Sequence, residues 1–244
     1  MKRITLALLL LATYPVTAQS TQGRFYELRI YYAHSGQLDA LIGRFRNHTT
    51  GLFEKHGMKN EGYWVPVDNT RQALYYVLSY PDRNAREQSW KAFQSDPEWI
   101  TVKSRYPIEF VDSVKSTYLH PTDLPMSTTS IDAASKVFEL RIYTCFPGRL
   151  PNLMDRFRAH TLGIFESHGM KNIAYYTTDA VEGEQPKLVY WLAHQSEASA
   201  KQSWDAFGKD PAWIKARDES EKEGRIVEKV ESVYLRALDF SPLR

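Results

Sequence analysis

An internal duplication is the feature of this sequence that most limits the folds open to it. The segment YELRIY, beginning at Tyr26, returns 112 residues later as FELRIY. Residues 26–64 match residues 138–176 without a gap, with 22 identities in 39 positions. A second block, residues 88–100, returns as residues 202–214. We therefore expect two copies of one structural unit, each roughly 100 residues long.

The predicted units occupy residues 24–120 and 137–240, and a linker at residues 121–136 joins them. The linker sequence, PTDLPMSTTSIDAASK, is rich in Pro, Ser and Thr and has no hydrophobic periodicity. Such a composition is typical of a connecting segment rather than of a helix or strand.

Residues 1–18 have the pattern of a signal peptide. Two basic residues precede a short apolar run, and small residues then lead to Gln19. The apolar run is too short to span a bilayer, and a short membrane anchor is the alternative interpretation. We therefore expect an exported protein, periplasmic or secreted, with no stable membrane anchor after cleavage.

Charge and cysteine content narrow the function classes. The formal net charge is +2, and basic and acidic residues alternate without a basic stripe, which argues against a nucleic-acid partner. Cys145 is the only cysteine, so no internal disulfide can form, and we expect a buried thiol. Stability must then come from an apolar core, for which 43% hydrophobic residues supply the material.

Each unit is predicted to have the order βαββαβ, the ferredoxin-like arrangement. In the first unit we expect strands at residues 25–32, 58–67, 73–80 and 110–119 and helices at residues 36–56, 83–94 and from Asp96-Pro97 onward. A sheet with helices on one face leaves its other face bare, and two units can cover each other. The predicted fold is α+β: two tandem ferredoxin-like units packed sheet to sheet as a pseudo-dimeric α/β barrel.

The repeated segments carry a family resemblance. YELRIY…RFRNHTTGLFEKHGMKN and FELRIY…RFRAHTLGIFESHGMKN, followed by SWxAFxxDPxWI, resemble the NIPSNAP family across both units. The resemblance implies tandem domains of the dimeric α/β-barrel type, in agreement with the element order. The wider superfamily includes cofactor-free oxygenases, isomerases, haem enzymes and binding domains, so the resemblance implies no single reaction. The family is named from mitochondrial members that are linked to trafficking. We expect this chain to be exported, so we do not expect those roles for it.

Alternation along the first strand of each unit separates an apolar set from a charged set. The charged set consists of Glu27, Arg29 and Tyr31 in the first unit and Glu139, Arg141 and Tyr143 in the second. We expect it to face the barrel interior, because the apolar set suits the space under the helices. Buried Glu and Arg must be paired. The set therefore predicts either a structural ion-pair network joining the two halves or a clamp for an anion.

His48 and His160 are the candidate catalytic histidines. On the first helix, His48 falls into the apolar series Leu41, Phe45 and Leu52, with intervals of four, three and four residues. This spacing places His48 on the apolar face above the sheet, and His160 is placed similarly. A neutral imidazole there could abstract a proton or hold an oxygen intermediate. A core histidine bonded to the backbone or to a neighbouring threonine is the structural alternative.

Positions that differ between the units are where one site can have specialised. Trp64 in the first unit corresponds to Tyr176 in the second, and we take both as candidate binding residues. No Gly-rich phosphate loop, His-x-x-x-His pair or paired-cysteine spacing is present, so we predict no metal and no cofactor. Haem, which a single histidine can ligate, is the alternative.

Two hypotheses about function follow. In the first, the protein binds a small aromatic or anionic metabolite, with cofactor-independent acid–base or oxygenase chemistry at His48 or His160. The assisting residues would be Tyr31, Tyr143, Arg29 and Arg141. In the second, it is a non-enzymatic interaction or scaffold protein with a packed interior. The sequence does not decide whether the protein is an enzyme, and further association into a homo-oligomer stays open.

Overall fold

The computed structural model describes residues 23–106, 110–126, 136–180 and 184–244. The predicted signal peptide and part of the predicted linker lie outside the described residues. None of the described helices is long and apolar enough to cross a membrane.

Both repeats fold in the predicted order. The first repeat contains β1 (Phe25–Ala33), α1 (Leu38–Arg44), α2 (Thr50–Lys55), β2 (Lys59–Pro66), β3 (Ala73–Tyr80), α3 (Arg83–Ser95), α4 (Pro97–Ser104) and β4 (Val111–Pro121). The second contains β5 (Val137–Cys145), α5 (Leu150–Arg156), α6 (Leu162–Ser167), β6 (Lys171–Thr178), β7 (Lys187–His194), α7 (Glu197–Lys209), α8 (Pro211–Ser220) and β8 (Val227–Ala237). One π-helical turn joins α1 to α2 and another joins α5 to α6, at Phe45–Thr49 and Phe157–Thr161.

Within the described residues the strands close into one antiparallel barrel, in the order β1-β3-β2-β8-β5-β7-β6-β4. Each repeat contributes four neighbouring strands. The repeats meet where Trp64–Pro66 of β2 pairs with β8 and where Leu119–Pro121 of β4 pairs with β6. The predicted fold class, two ferredoxin-like units packed into a pseudo-dimeric α/β barrel, is therefore confirmed.

Strand alternation produces separate apolar cores on the two faces of the sheet. The barrel interior is filled by side chains such as Leu28, Leu140 and Phe138. A second core lies under the helices of the first repeat around Phe53, and a third lies under those of the second repeat around Phe165. Both faces of the barrel sheet are thus buried over much of their area, which matters for the position of the charged strand residues.

Two arms cross between the repeats. The first arm, residues 122–126, follows β4 and places Leu124 in the helix-side core of the second repeat. The second arm, residues 238–244, follows β8 and packs Phe240 against Tyr63 of the first repeat, with ring centroids 5.2 Å apart. The arms are anchored alike, because the amides of Thr122 and Leu238 donate to carbonyl oxygens of β6 and β2 at 3.2 and 2.9 Å.

Candidate functional site

The charged residues of β1 lie under the helices, so the prediction that they face the barrel interior is wrong. Glu27 is fully buried and accepts hydrogen bonds from Arg86 at 2.9 and 3.0 Å and from the Trp90 indole at 3.2 Å, both on α3. Arg29 donates to the same carboxylate at 2.6 Å. Because α3 brings a cation and an N–H donor, the helix side can satisfy the charge. The interior receives the apolar residues instead.

The second repeat builds a related cluster with different partners. Glu139 accepts from Arg141 at 2.6 Å, from the Trp204 indole at 2.7 Å and from Ser232 at 2.6 Å. The buried His194 lies 2.9 Å from the same carboxylate. It stands where the first repeat has Tyr80, whose hydroxyl donates to Glu27 at 3.2 Å. Our sequence reasoning missed His194. The signal was present, because aligning the repeats puts this histidine against a tyrosine at the end of a strand.

The two tyrosines of the charged set also lie on the helix side. The Tyr31 hydroxyl accepts from Arg29 at 3.4 Å, and the Tyr143 hydroxyl accepts from Arg141 at 3.2 Å. Tyr31 packs edge-on against Phe45 with centroids 5.8 Å apart. The arrangement is that of an ion-pair network within each repeat, not of one network joining the two halves.

The π turns determine where the candidate histidines lie. His48 is half-buried and His160 is exposed, so the predicted placement of His160 on the buried face is wrong. The buried positions next to them belong to Thr49 and Thr161. A π turn holds one more residue than a regular turn, which rotates the following side chains around the helix axis. The spacing from Phe45 therefore places Thr49, not His48, over the sheet.

A cavity of about 170 Å³ lies inside the barrel, at the end where β2 begins. Its aromatic side consists of Tyr26, Trp64, Tyr176 and Trp191. These rings form one continuous surface, with centroids 5.0 Å apart for Tyr26 and Tyr176, 5.8 Å for Tyr176 and Trp191, and 6.2 Å for Trp191 and Trp64. The structure thus brings two of the sequence-predicted binding residues, Trp64 and Tyr176, to the same cavity.

Residues from both arms also line this cavity. Met126 of the first arm and Leu243 of the second border it, and the Tyr26 hydroxyl donates to the Met126 sulfur at 3.7 Å. These contacts involve the chain ends of both repeats. The cavity therefore exists only when the two repeats are assembled.

Two buried donors in the aromatic surface lack partners. Trp64 and Trp191 are each 2% exposed. Their indole N–H groups have no hydrogen-bond partner among the described residues. An unsatisfied buried donor costs about 1–3 kcal/mol, so few are retained without a reason. Both indole rings border the cavity.

Polar residues also line the cavity. Lys59 and Glu61 border it, and the Tyr26 hydroxyl adds a polar group to the aromatic surface. Burial first, and then the charge of Glu61, raise the pKa of Tyr26 to about 12. The Tyr26 hydroxyl therefore stays protonated over the physiological range. A ligand in the cavity would meet the neutral Tyr26 hydroxyl and the paired charges of Glu61 and Lys59.

The remaining predicted site residues lie elsewhere. Glu27, Arg29, Glu139 and Arg141 lie behind the sheet, and no histidine is among the described residues that line the cavity. Haem does not fit this site, because the cavity offers no histidine ligand. Its volume is also close to the roughly 150 Å³ that holds a single benzene ring.

Comparison with known proteins gives one family and several structures. The family model described as NIPSNAP matches residues 26–125 and 138–242. Among curated proteins, none matches this chain. An anthrone oxidase-like protein has 11% sequence identity and a TM-score of 0.58, over 91% of this chain and 94% of that one.

Two further structures are similar over most of the chain. A proposed monooxygenase from Fusobacterium nucleatum has 8% identity and a TM-score of 0.56, covering 92% of this chain and 99% of that one. A proposed monooxygenase from Lactobacillus acidophilus has 10% identity and a TM-score of 0.53, covering 88% and 94%. At such identities the similarity shows the fold alone.

Proposed function

This chain belongs to the NIPSNAP family, and from that starting point we propose that it binds a small aromatic molecule in the cavity of its barrel. The observation that carries the proposal is the pair of unpartnered indole N–H groups of Trp64 and Trp191 in an aromatic cavity wall. Buried donors almost always have an acceptor. An oxygen on a bound ring would supply it.

The size of the cavity supports a single ring. An engineered apolar cavity of about 150 Å³ takes up benzene, and this cavity measures about 170 Å³. Ring–ring contacts with the wall would add about 0.5–1.5 kcal/mol each beyond burial. An anionic ligand is less well supported, because the one cation on the described cavity wall, Lys59, is already paired with Glu61.

The proposal concerns binding, and it places no reaction at His48 or His160. His160 is exposed, and neither histidine is among the described residues that line the cavity. Any acid–base or oxygenation chemistry would act on a ring held between Trp64 and Glu61. Turnover would be sought with the same compounds that bind.

A calorimetric titration with phenol tests the binding proposal, with cyclohexanol as the non-aromatic control. We expect phenol to bind more tightly than cyclohexanol. Trp191→Phe keeps an aromatic ring at this position and removes the N–H, which should weaken phenol binding about fivefold, since a net hydrogen bond is worth about 1 kcal/mol. Trp99→Phe, on α4 and away from the cavity, is the matched control. No preference for phenol in the wild-type protein would overturn the proposal.

The second candidate function is a non-enzymatic scaffold protein. It is favoured by the extent of packing elsewhere, because the helix-side cores and most of the barrel interior are filled by side chains. This candidate predicts that neither phenol nor any related ring binds. The same titration therefore distinguishes the two functions.

We also propose that the protein is exported and that residues 1–18 are removed. The support is the basic, apolar and small-residue order of that segment. N-terminal sequencing of the protein recovered from its natural host should begin at Gln19, in a periplasmic or secreted fraction. Recovery of the intact N-terminus from membranes would instead favour the anchor alternative.

A further inference from the structure

The two charged residues among the described cavity lining, Lys59 and Glu61, both belong to the first repeat. Tyr26, Glu61 and Ser79 of the first repeat correspond to Phe138, Ile173 and Ala193 of the second. Both repeats build the same four-stranded half of the barrel. The second repeat therefore demonstrates that the fold does not need polar groups at these positions.

Glu61 and Ser79 belong to a connected polar cluster. The Ser79 hydroxyl, which is fully buried, donates to Glu61 Oε1 at 2.5 Å. Arg24 in turn donates to the Ser79 oxygen at 2.8 Å. Lys59 lies 3.1 Å from Glu61 Oε1 and 3.2 Å from Oε2. The carboxylate of Glu61 is thus held in place on the cavity wall.

Glu61 retains capacity for one more donor. An ionised carboxylate has about four acceptor positions, and Ser79 and Lys59 use three of them. The Glu61 side chain is 21% exposed and lines the cavity. A donor on a bound molecule can therefore reach it. The indole N–H groups of Trp64 and Trp191 require the opposite, an acceptor.

A hydroxyl group on an aromatic ring meets both requirements. We infer that the ligand is a phenol whose hydroxyl donates to Glu61 and whose oxygen accepts from an indole N–H of the aromatic wall. This inference rests on the proposed function and names the chemical class of its ligand. The hydrogen bond to Glu61 is charge-assisted, and such bonds are about twice as strong as neutral ones.

Three probes of similar size separate the contributions in the wild-type protein. Phenol has a donor and an acceptor, anisole has only the acceptor, and toluene has neither. We expect phenol to bind at least about tenfold more tightly than anisole, the size expected for a hydrogen bond to a charged group. Equal affinity for phenol and anisole would overturn the inference while leaving the proposed aromatic site intact. Binding of none of the three would overturn both.

Glu61→Ile gives the variant test, because isoleucine is the residue that the second repeat has at this position. This variant should bind phenol and anisole alike. Glu228→Ile, the same replacement at an exposed position of β8, should keep the wild-type preference. A phenol preference that persists in Glu61→Ile would overturn the role of Glu61. If that variant does not fold, Ser79→Ala, again the second-repeat residue, should reduce the phenol preference, and an unchanged preference would count against the inference.

Discussion

At the scale of single residues, two buried carboxylates hold the sheet to its helices. Burial alone would raise the pKa of Glu27, but the hydrogen bonds from Arg86 and the charge of Arg29 outweigh it and hold that pKa at about 2. The pKa of Glu139 is also about 2, because His194 and Arg141 outweigh burial there. Both carboxylates are therefore ionised in the folded protein at neutral pH.

These pKa values predict that stability falls in acid. A carboxyl group with a folded-state pKa below its ordinary 4.5 stabilises the fold above the unfolded pKa, and this stabilisation is lost as pH falls through the folded pKa. A pKa of about 2 for Glu27 corresponds to roughly 3 kcal/mol at neutral pH. The free energy of unfolding should drop progressively between about pH 5 and pH 2, as measured by urea denaturation.

Glu27→Gln is the variant that tests this origin. It should lose about 3–5 kcal/mol at pH 7, because Arg29 and Arg86 are left buried without their partner. It should also show a shallower loss between pH 5 and pH 2 than the wild-type protein. Glu87→Gln, at an exposed position of α3, is the control and should change neither quantity. An unchanged acid slope in Glu27→Gln would contradict the assignment.

The positions of single side chains were also the feature least predictable from the sequence. Alternation correctly separated Glu27 from Leu28, yet it did not indicate which face of the sheet was which. Both faces are buried in a closed barrel, so hydrophobicity cannot choose between them. The choice is made by Arg86, which lies 59 residues further along the chain. The local sequence pattern of β1 does not indicate that partner.

At the scale of elements, β2 owes its part of the cavity wall to one glycine. A Cβ atom at Gly62 would lie less than 3.0 Å from three carbons of the Trp64 ring. The pairing of β2 with β3 also shifts register between Asn60 and Gly62. The second repeat has Ala174 where the first has Gly62, and Tyr176 where the first has Trp64. The larger residue at the first position is thus found together with the smaller ring at the second. The two positions vary together.

Gly62→Ala should therefore displace the Trp64 ring. We expect a loss of about 1–3 kcal/mol in the free energy of unfolding, as for other overpacked sites, together with weaker binding of phenol. The measurements are thermal unfolding, tryptophan fluorescence and the titration described above. Gly43→Ala is the matched control, because nothing lies near a Cβ at that helical position. It should stabilise the helix by up to about 1 kcal/mol. Equal stability of the two variants would refute the argument.

Element boundaries were largely predictable, whereas the interruption of the first helix was not. Leu41, Phe45 and Leu52 fit a regular helix that continues to Lys55, and the spacing contains no sign of a π turn. A single extra residue in one turn is enough to exchange His48 for Thr49 on the buried face. Apolar periodicity averages over several turns, so it locates a helix better than it orients one side chain.

At the scale of the whole molecule, the repeats cover each other in two ways. Their sheets close one barrel, and their arms cross, so that Leu124 completes the helix-side core of the second repeat and Phe240 packs against that of the first. The duplication predicted the first kind of contact. The arms were not predicted. The first arm lies in the predicted linker, which has no hydrophobic periodicity, and the second follows the last strand of the second unit. We expect the two halves to unfold together.

Leu124→Ala tests this coupling. The side chain is 5% exposed, and its loss should lower the free energy of unfolding by about 2–5 kcal/mol, as for other buried leucines. Hydrogen exchange followed by mass spectrometry should then show faster exchange to a similar degree in α3 of the first repeat and α7 of the second. Ile100→Ala, at a 55% exposed position, should change exchange in neither. Faster exchange confined to α7 would mean that the second repeat opens alone, and a cavity built from both repeats would then lose its walls without global unfolding.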